Sequence, residues 1–425
     1  MGRGLVGKLE NYSELRIQRR VWGTMTYNFP DGFLWGAASA PHQVEGGNSN
    51  SDFWAQESLM TGADRSGDAL DSYHRYREDI RLVAESGLNT YRFGVEWARI
   101  EPIPGQVSLA QLAHYRRMVE ACLEMGVKPF VTLHHFTSPR WFAEEGGWRG
   151  ERSVDRFRSY VELVSPILAE VEWVCTINEP NMLAILVAEQ EAMRTAPDGR
   201  EWLSPTLESD EPRPVKPAPP TDIGRRLIQA HSAAREVLRA NTNAKLGWSV
   251  ANRAFETRPG ADDVRRELEY VWEDLYLKAA QGDDYVGVQA YSAQWVGLDG
   301  IEPHPVSSDN TLVRTAYRPD ALGIAVRHTR EIVPDVPILV TENGIATDDD
   351  ARRIAYTEAA LLSLGEAMAD GADVRGYVHW SLLDNYEWGH WDPTFGLVAV
   401  DRNTFERQPK PSLAWLGGVA RANRV

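Results

Sequence analysis

VEWVCTINEP, residues 171–180, is an apolar run that closes on Asn178, Glu179 and Pro180. Its β-branched and aromatic residues predict a strand, and their near continuity predicts one buried on both faces, as in a parallel sheet. Seven further runs share this character: FLWGAASA (33–40), NTYRFGVEW (89–97), KPFVTLHHF (128–136), KLGWSVANR (245–253), DYVGVQAYS (284–292), PILVTENGI (337–345) and VRGYVHWSLLDN (374–385). Between them lie segments of helical period, among them 108–126, 153–171, 222–241 and 349–371, several ending in Gly or Asn as helix C-termini do. Eight strand-then-helix units predict an α/β fold, a single (β/α)8 TIM barrel with active-site loop insertions, over residues 28–425. Residues 1–27 read as a loosely held leader, without the apolar core of a secretory signal. The segment 196–222 holds seven of the 24 prolines, too many for a helix, and falls after the fourth strand on the expected catalytic face.

Composition narrows the partners. A formal net charge of −16 repels phosphate backbones and anionic lipid, so neither nucleic acid nor membrane is expected, and a small neutral substrate fits better. Two cysteines, Cys122 and Cys175, both inside apolar segments, exclude a disulfide framework and suit a reducing, cytoplasmic compartment. His134 and His135 are adjacent, but no HExxH or other ligand spacing accompanies them, so neither a metal nor a cofactor is expected. Adjacent strand residues face opposite ways, so only one of the two should enter a pocket. No sequence signal bears on oligomeric state.

In a TIM barrel the residues at the C-terminal strand ends face the substrate. That rule selects His42, Gln43 and Glu45; Arg92 and Glu96; His134 and His135; Asn178 and Glu179; Gln289 and Tyr291; Glu342 and Asn343; and Trp380, Asp384, Glu387 and Trp388. Glu179 and Glu342 would face each other across the barrel mouth, and paired carboxylates are what glycosidic cleavage needs. Arg92 and Tyr291 would favour an ionised Glu342 and hence a nucleophile, whereas the apolar setting of Glu179 would favour a protonated acid. Fifteen tryptophans, with Trp54, Trp141, Trp148, Trp380, Trp388 and Trp391 in the expected loops, suit stacking on a pyranose.

These residues together resemble glycoside hydrolase family 1, the retaining β-glucosidase and β-galactosidase family, from about Phe29 to Leu416. The resemblance rests on FPDGFLWGAASAPHQVEGGN, YRFGVEWARIEP, TLHHF, TINEP, VTENG and WSLLDNYEW. It implies Glu179 as general acid/base, Glu342 as nucleophile, and Arg92 with Tyr291 setting the charge of Glu342. It further implies that Asn178 holds the sugar 2-hydroxyl and that Gln43, His135, Glu387 and Trp388 hold the others. Trp380 would be the stacking floor and Phe395 would sit near O6. Two positions depart from the family pattern: Phe136 replaces a tryptophan whose N–H reaches a sugar hydroxyl, and Gln289 stands where asparagine is usual. The retained Glu387 and Trp388 argue against a phosphosugar. Three readings follow: a retaining exo-β-glycosidase on a β-glycoside or oligosaccharide, a transglycosidase on the same scaffold, and a non-catalytic sugar-binding barrel.

Overall fold

The computed structural model describes residues 26–60, 62–195, 212 and 215–425. Eight parallel strands close into a barrel: β1 (Leu34–Ala38), β2 (Thr90–Gly94), β3 (Lys128–Thr132), β4 (Trp173–Asn178), β5 (Lys245–Ala251), β6 (Val286–Gln289), β7 (Ile338–Asn343) and β8 (Val374–Trp380). Each pairs with its neighbours in chain order, and β8 closes on β1 through Leu34 to Gly376 and Ala38 to Trp380. Every expected strand is present.

The apolar runs are continuous because each strand packs on two sides. Leu34, Phe130, Cys175, Tyr285, Leu339 and Val378 fill the barrel interior, whereas Trp35, Tyr91, Val131, Val174, Val250 and Tyr377 face the surrounding helices. Those helices follow the predicted periods. Ser108 caps Leu109–Glu124 by accepting from the Gln111 N–H, and Asp349 caps Asp350–Ala369 through the Ala351 and Arg352 N–H groups. The segment 153–171 divides into an α-helix, Ser153–Val164, and a 3₁₀ turn, Ser165–Leu168, where Pro166 removes a backbone donor.

The helix Thr221–Asn241 begins inside the proline-rich segment, so Thr221 and Asp222 are its first turn. Most of that segment, and residues 1–25 of the expected leader, lie outside the described residues. Tyr27 exchanges backbone hydrogen bonds with Val425 at 2.9 and 3.1 Å.

The register breaks where function was expected. The β4–β5 ladder shifts between Cys175 and Asn178, and β7 shifts against both neighbours beyond Val340. Such irregularities turn strand-end side chains out of the ladder, here at the ends carrying Glu179 and Glu342. Directly after β7, a Cβ on Gly344 would stand 2.1 Å from the Trp380 carbonyl oxygen, so β7 and β8 approach too closely there for a side chain.

In the helix Ser72–Ser86, Asp79 accepts from Arg407 at 2.8 and 3.2 Å, both side chains buried. Asp79→Ala strands that guanidinium in the core, and we expect it to cost about 3–5 kcal/mol in denaturant unfolding. A loss below about 1 kcal/mol, the scale of a surface pair, would mean that Arg407 finds solvent or another acceptor.

Candidate active site

The strand ends surround a cavity of about 320 Å³, a size suited to a small molecule. Arg92 organises its floor. Its fully buried guanidinium donates to Glu342 Oε1 at 2.5 Å, to Asn178 Oδ1 at 2.5 Å and to Thr132 Oγ1 at 3.1 Å. One residue of β2 therefore ties together the ends of β3, β4 and β7. The Tyr291 hydroxyl donates to the other Glu342 oxygen at 2.7 Å.

Asn178 is oriented by its partners. Its Oδ1 accepts from Arg92 and, at 2.8 Å, from Gln289 Nε2, so its Nδ2 is left to donate to His135 Nε2 at 3.2 Å. His135 must then accept at Nε2, and burial pushes its pKa far below the ordinary value, keeping the ring neutral.

Gln289 Oε1 is buried with no partner among the described residues. Gln289 thus orients Asn178 with one end of its amide and leaves an acceptor at the other.

The two carboxyls differ in their surroundings. Burial, and then the charge of Glu342, push Glu179 up to about 8. Burial also raises Glu342, but Arg92, Tyr291 and Gln289 oppose that shift. Glu179 makes no comparably direct charged contact: its helping cations, Arg253 and Arg92, act through space. With one proton between them, Glu179 holds it.

Glu179 stands between β4 and the helix Pro180–Thr195, with φ of 43°. Phe136 and Trp388 also have left-handed backbones, at φ of 69° and 47°, and all three line the cavity. Non-glycine residues held there are strained, and such strain gathers at functional sites.

His135, Asn178, Gln289, Tyr291, Trp380, Glu387, Trp388, Phe395 and Phe136 all reach the cavity wall with the two glutamates. His135 stacks beside Trp380, ring centres 5.7 Å apart, and Phe136 meets Trp388 edge-on at 5.1 Å. Gln43 stands behind the wall and donates to Glu387 Oε2 at 3.0 Å. His134 turns away to Ser138 and Trp148, so the two adjacent histidines do face opposite ways.

The strand-end rule selected too much elsewhere. His42 is taken up by Glu57 and Asn48, Glu45 by Arg99 and Tyr115, and Asp384 by Lys410. Asn343 bonds to the Ala290 carbonyl and the Tyr377 hydroxyl. Glu96, pushed by burial to about 7, is held by Thr137, Asn48 and the Ala98 N–H.

Of the six loop tryptophans only Trp380 and Trp388 line the cavity. Trp141 and Trp148 pack in the core, and Trp391 packs on Tyr386.

The sequence reading missed Asn252 and Arg253, although both are polar residues directly after β5 and the same rule would have found them. It also missed Trp272, which lies in a π-helical turn, Tyr270–Asp274, that no sequence period announces.

A closed (β/α)8 barrel with two opposed glutamates, a buried arginine and an aromatic wall is the arrangement of a glycosidase. The profile of glycosyl hydrolase family 1 matches residues 25–239 and 276–425, and the chain belongs to that family. It is an O-glycosyl hydrolase of the β-glucosidase type, a retaining exo-β-glycosidase.

Among its relatives, the thermostable beta-glucosidase B of Thermobispora bispora is 31% identical, aligned over 93% of this chain and 91% of that protein. Among solved structures, the apo structure of a beta-glucosidase 1317 is 41% identical with a TM-score of 0.81, covering 92% of this chain and 98% of that one. The beta-glucosidase from Thermotoga maritima in complex with deoxynojirimycin is 26% identical with a TM-score of 0.80, covering 93% and 99%. Among the described residues, no helix is long and apolar enough to cross a membrane.

Proposed function

We propose that residues 28–425 act as one catalytic unit that hydrolyses terminal β-D-glucosides, with Glu342 as nucleophile and Glu179 as general acid/base. The observation that carries this is the unequal support of the two carboxyls: Glu342 is gripped by Arg92 and Tyr291, whereas Glu179 is raised by burial and the Glu342 charge and meets its cations only through space. The ionised Glu342 attacks the anomeric carbon while Glu179 passes its proton to the leaving oxygen. The arginine then neutralises the glycosyl ester's departing carboxylate when water, deprotonated by Glu179, releases the sugar with its configuration retained.

Asn178, His135 and Gln289 form one hydrogen-bonded row that meets the 2-hydroxyl side of the ring, and Gln289 Oε1 offers it an acceptor. Glu387, steadied by Gln43, accepts from hydroxyls at the far end. Trp380 underlies the sugar's apolar face and Phe395 stands near O6. Trp388 contributes its indole edge, whereas Phe136 offers no donor. Small neutral glucosides, with β-D-galactosides or β-D-fucosides as weaker substrates, suit this pocket. Glu387 and Trp388 on the wall speak against a phosphosugar as the preferred substrate.

The test is a pH profile of kcat/KM on an aryl β-D-glucoside. Glu179 must be protonated to act, so rising pH through about 8 removes activity; Glu342 must be ionised, so falling pH through its own pKa removes it on the other side. A bell with its basic limb near 8 is expected. A profile flat across that limb would rule out Glu179 as the acid.

A further inference from the structure

The half of the cavity next to Glu179 contains a cation that the sugar chemistry does not use. Arg253, just past β5, lines the wall, and its backbone N–H donates to Glu273 Oε1 at 2.7 Å while the neighbouring Asn252 donates to Glu273 Oε2 at 2.8 Å. The guanidinium lies over the Trp272 ring, 4.2 Å from its centre, with Nη2 against the Met182 sulfur at 3.2 Å. Loop, ring and sulfur hold it in place without any ion pair to a described carboxylate, and its Nε is buried with no acceptor among the described residues.

A guanidinium kept this way has been taken partly out of water and given only weak partners, so an anion reaching it gains more than it would at the surface.

Its position identifies the part of the substrate it meets. Glu179 delivers its proton to the leaving oxygen, so the aglycone departs on the Glu179 side. The Arg253 charge acts on Glu179, and Met182 lies one helical turn beyond that glutamate. Elsewhere on the wall Lys216 and Arg314 add positive charge against Glu189 and Glu302, and Glu302 is already held by Arg258. Phe53, Leu186, Trp272 and Ile301 make the space between suitable for a flat apolar group. Arg253 and Trp272 both lie between the two stretches that the family profile matches, 25–239 and 276–425.

We propose that Arg253 selects β-glucosides whose aglycone is an aromatic acid, the aryl ring lying by Trp272 and the carboxylate paired with the guanidinium. This rests on the glycosidase reading above. The test compares 4-carboxyphenyl β-D-glucoside with its methyl ester on the full chain. Wild type is expected to favour the acid by about tenfold or more in kcat/KM, the effect of one charge-assisted pair. Arg253→Gln should bring the ratio to about one, and Arg253→Lys, which keeps charge without the planar fork, should restore part of it. Removing the Arg253 charge also raises the basic limb set by Glu179, but equally for both substrates, so the ratio reports on the aglycone alone.

Titration calorimetry with the non-hydrolysable 1-thio analogues of the same pair reads the preference without turnover. No preference for the acid in wild type, or one that survives in Arg253→Gln, overturns the proposal. A binding preference intact in a chain that hydrolyses neither glucoside overturns the glycosidase reading instead.

Discussion

Glu342→Ala is expected to lower kcat on 4-nitrophenyl β-D-glucoside by roughly four orders of magnitude or more, with little change in substrate affinity. The reason lies in what surrounds the side chain. Arg92 and Tyr291 bind its two oxygens at 2.5 and 2.7 Å, so both partners act through this one carboxylate. Truncation leaves the arginine with Asn178 and Thr132 but without its carboxylate, in a cavity that now has room for a small anion. Azide should occupy that space and attack from the same face, giving the α-glucosyl azide by a single inversion. Wild-type rates in the variant, or a β-configured azide product, would exclude Glu342 as the nucleophile.

Glu179→Ala should divide substrates by their leaving groups. Where the departing oxygen needs a proton, as in cellobiose or an alkyl glucoside, a loss of about 10²–10⁴ in kcat/KM is expected. With 2,4-dinitrophenol as leaving group the first step needs no acid, so the glycosyl-enzyme still forms and then waits for an unassisted water. Turnover should begin with a burst, KM should fall, and azide should accelerate release as the β-glucosyl azide. The basic limb near 8, raised by burial and the Glu342 charge, should vanish from kcat/KM. Equal losses across all leaving groups would mean that Glu179 supports the fold and not proton transfer.

The barrel could be read from the chain because its strands are buried twice over, which makes FLWGAASA or PILVTENGI nearly unbroken apolar runs. The two glutamates could be read because each ends such a run. What the chain does not display is which strand-end polar groups are already satisfied by one another. Glu45, Glu96 and Asp384 look the same in sequence as Glu342, and differ only in that Arg99, Thr137 and Lys410 reach them across 54, 41 and 26 positions. Tryptophan counting failed for a related reason. Trp148 and Trp388 both sit in loops after strands, but one loop folds back onto Phe142 and Phe157 and the other turns toward the cavity. The strand-end rule reaches Arg253, but its meaning comes only from Glu273 and Trp272, twenty and nineteen positions away in a turn of irregular period.

The left-handed backbone shared by Phe136, Glu179 and Trp388 sets working chemistry against durability in this enzyme. Each such residue gives up about 1–2 kcal/mol that glycine would keep. A population selected only for resistance to heat should therefore drift toward glycine at these three places, and with each step discard the acid or part of the cavity wall. Thermostable variants that keep their activity will have to find their improvements elsewhere, in the helical shell or the buried ion pairs, where hardening the scaffold does not relax the residues that face the substrate.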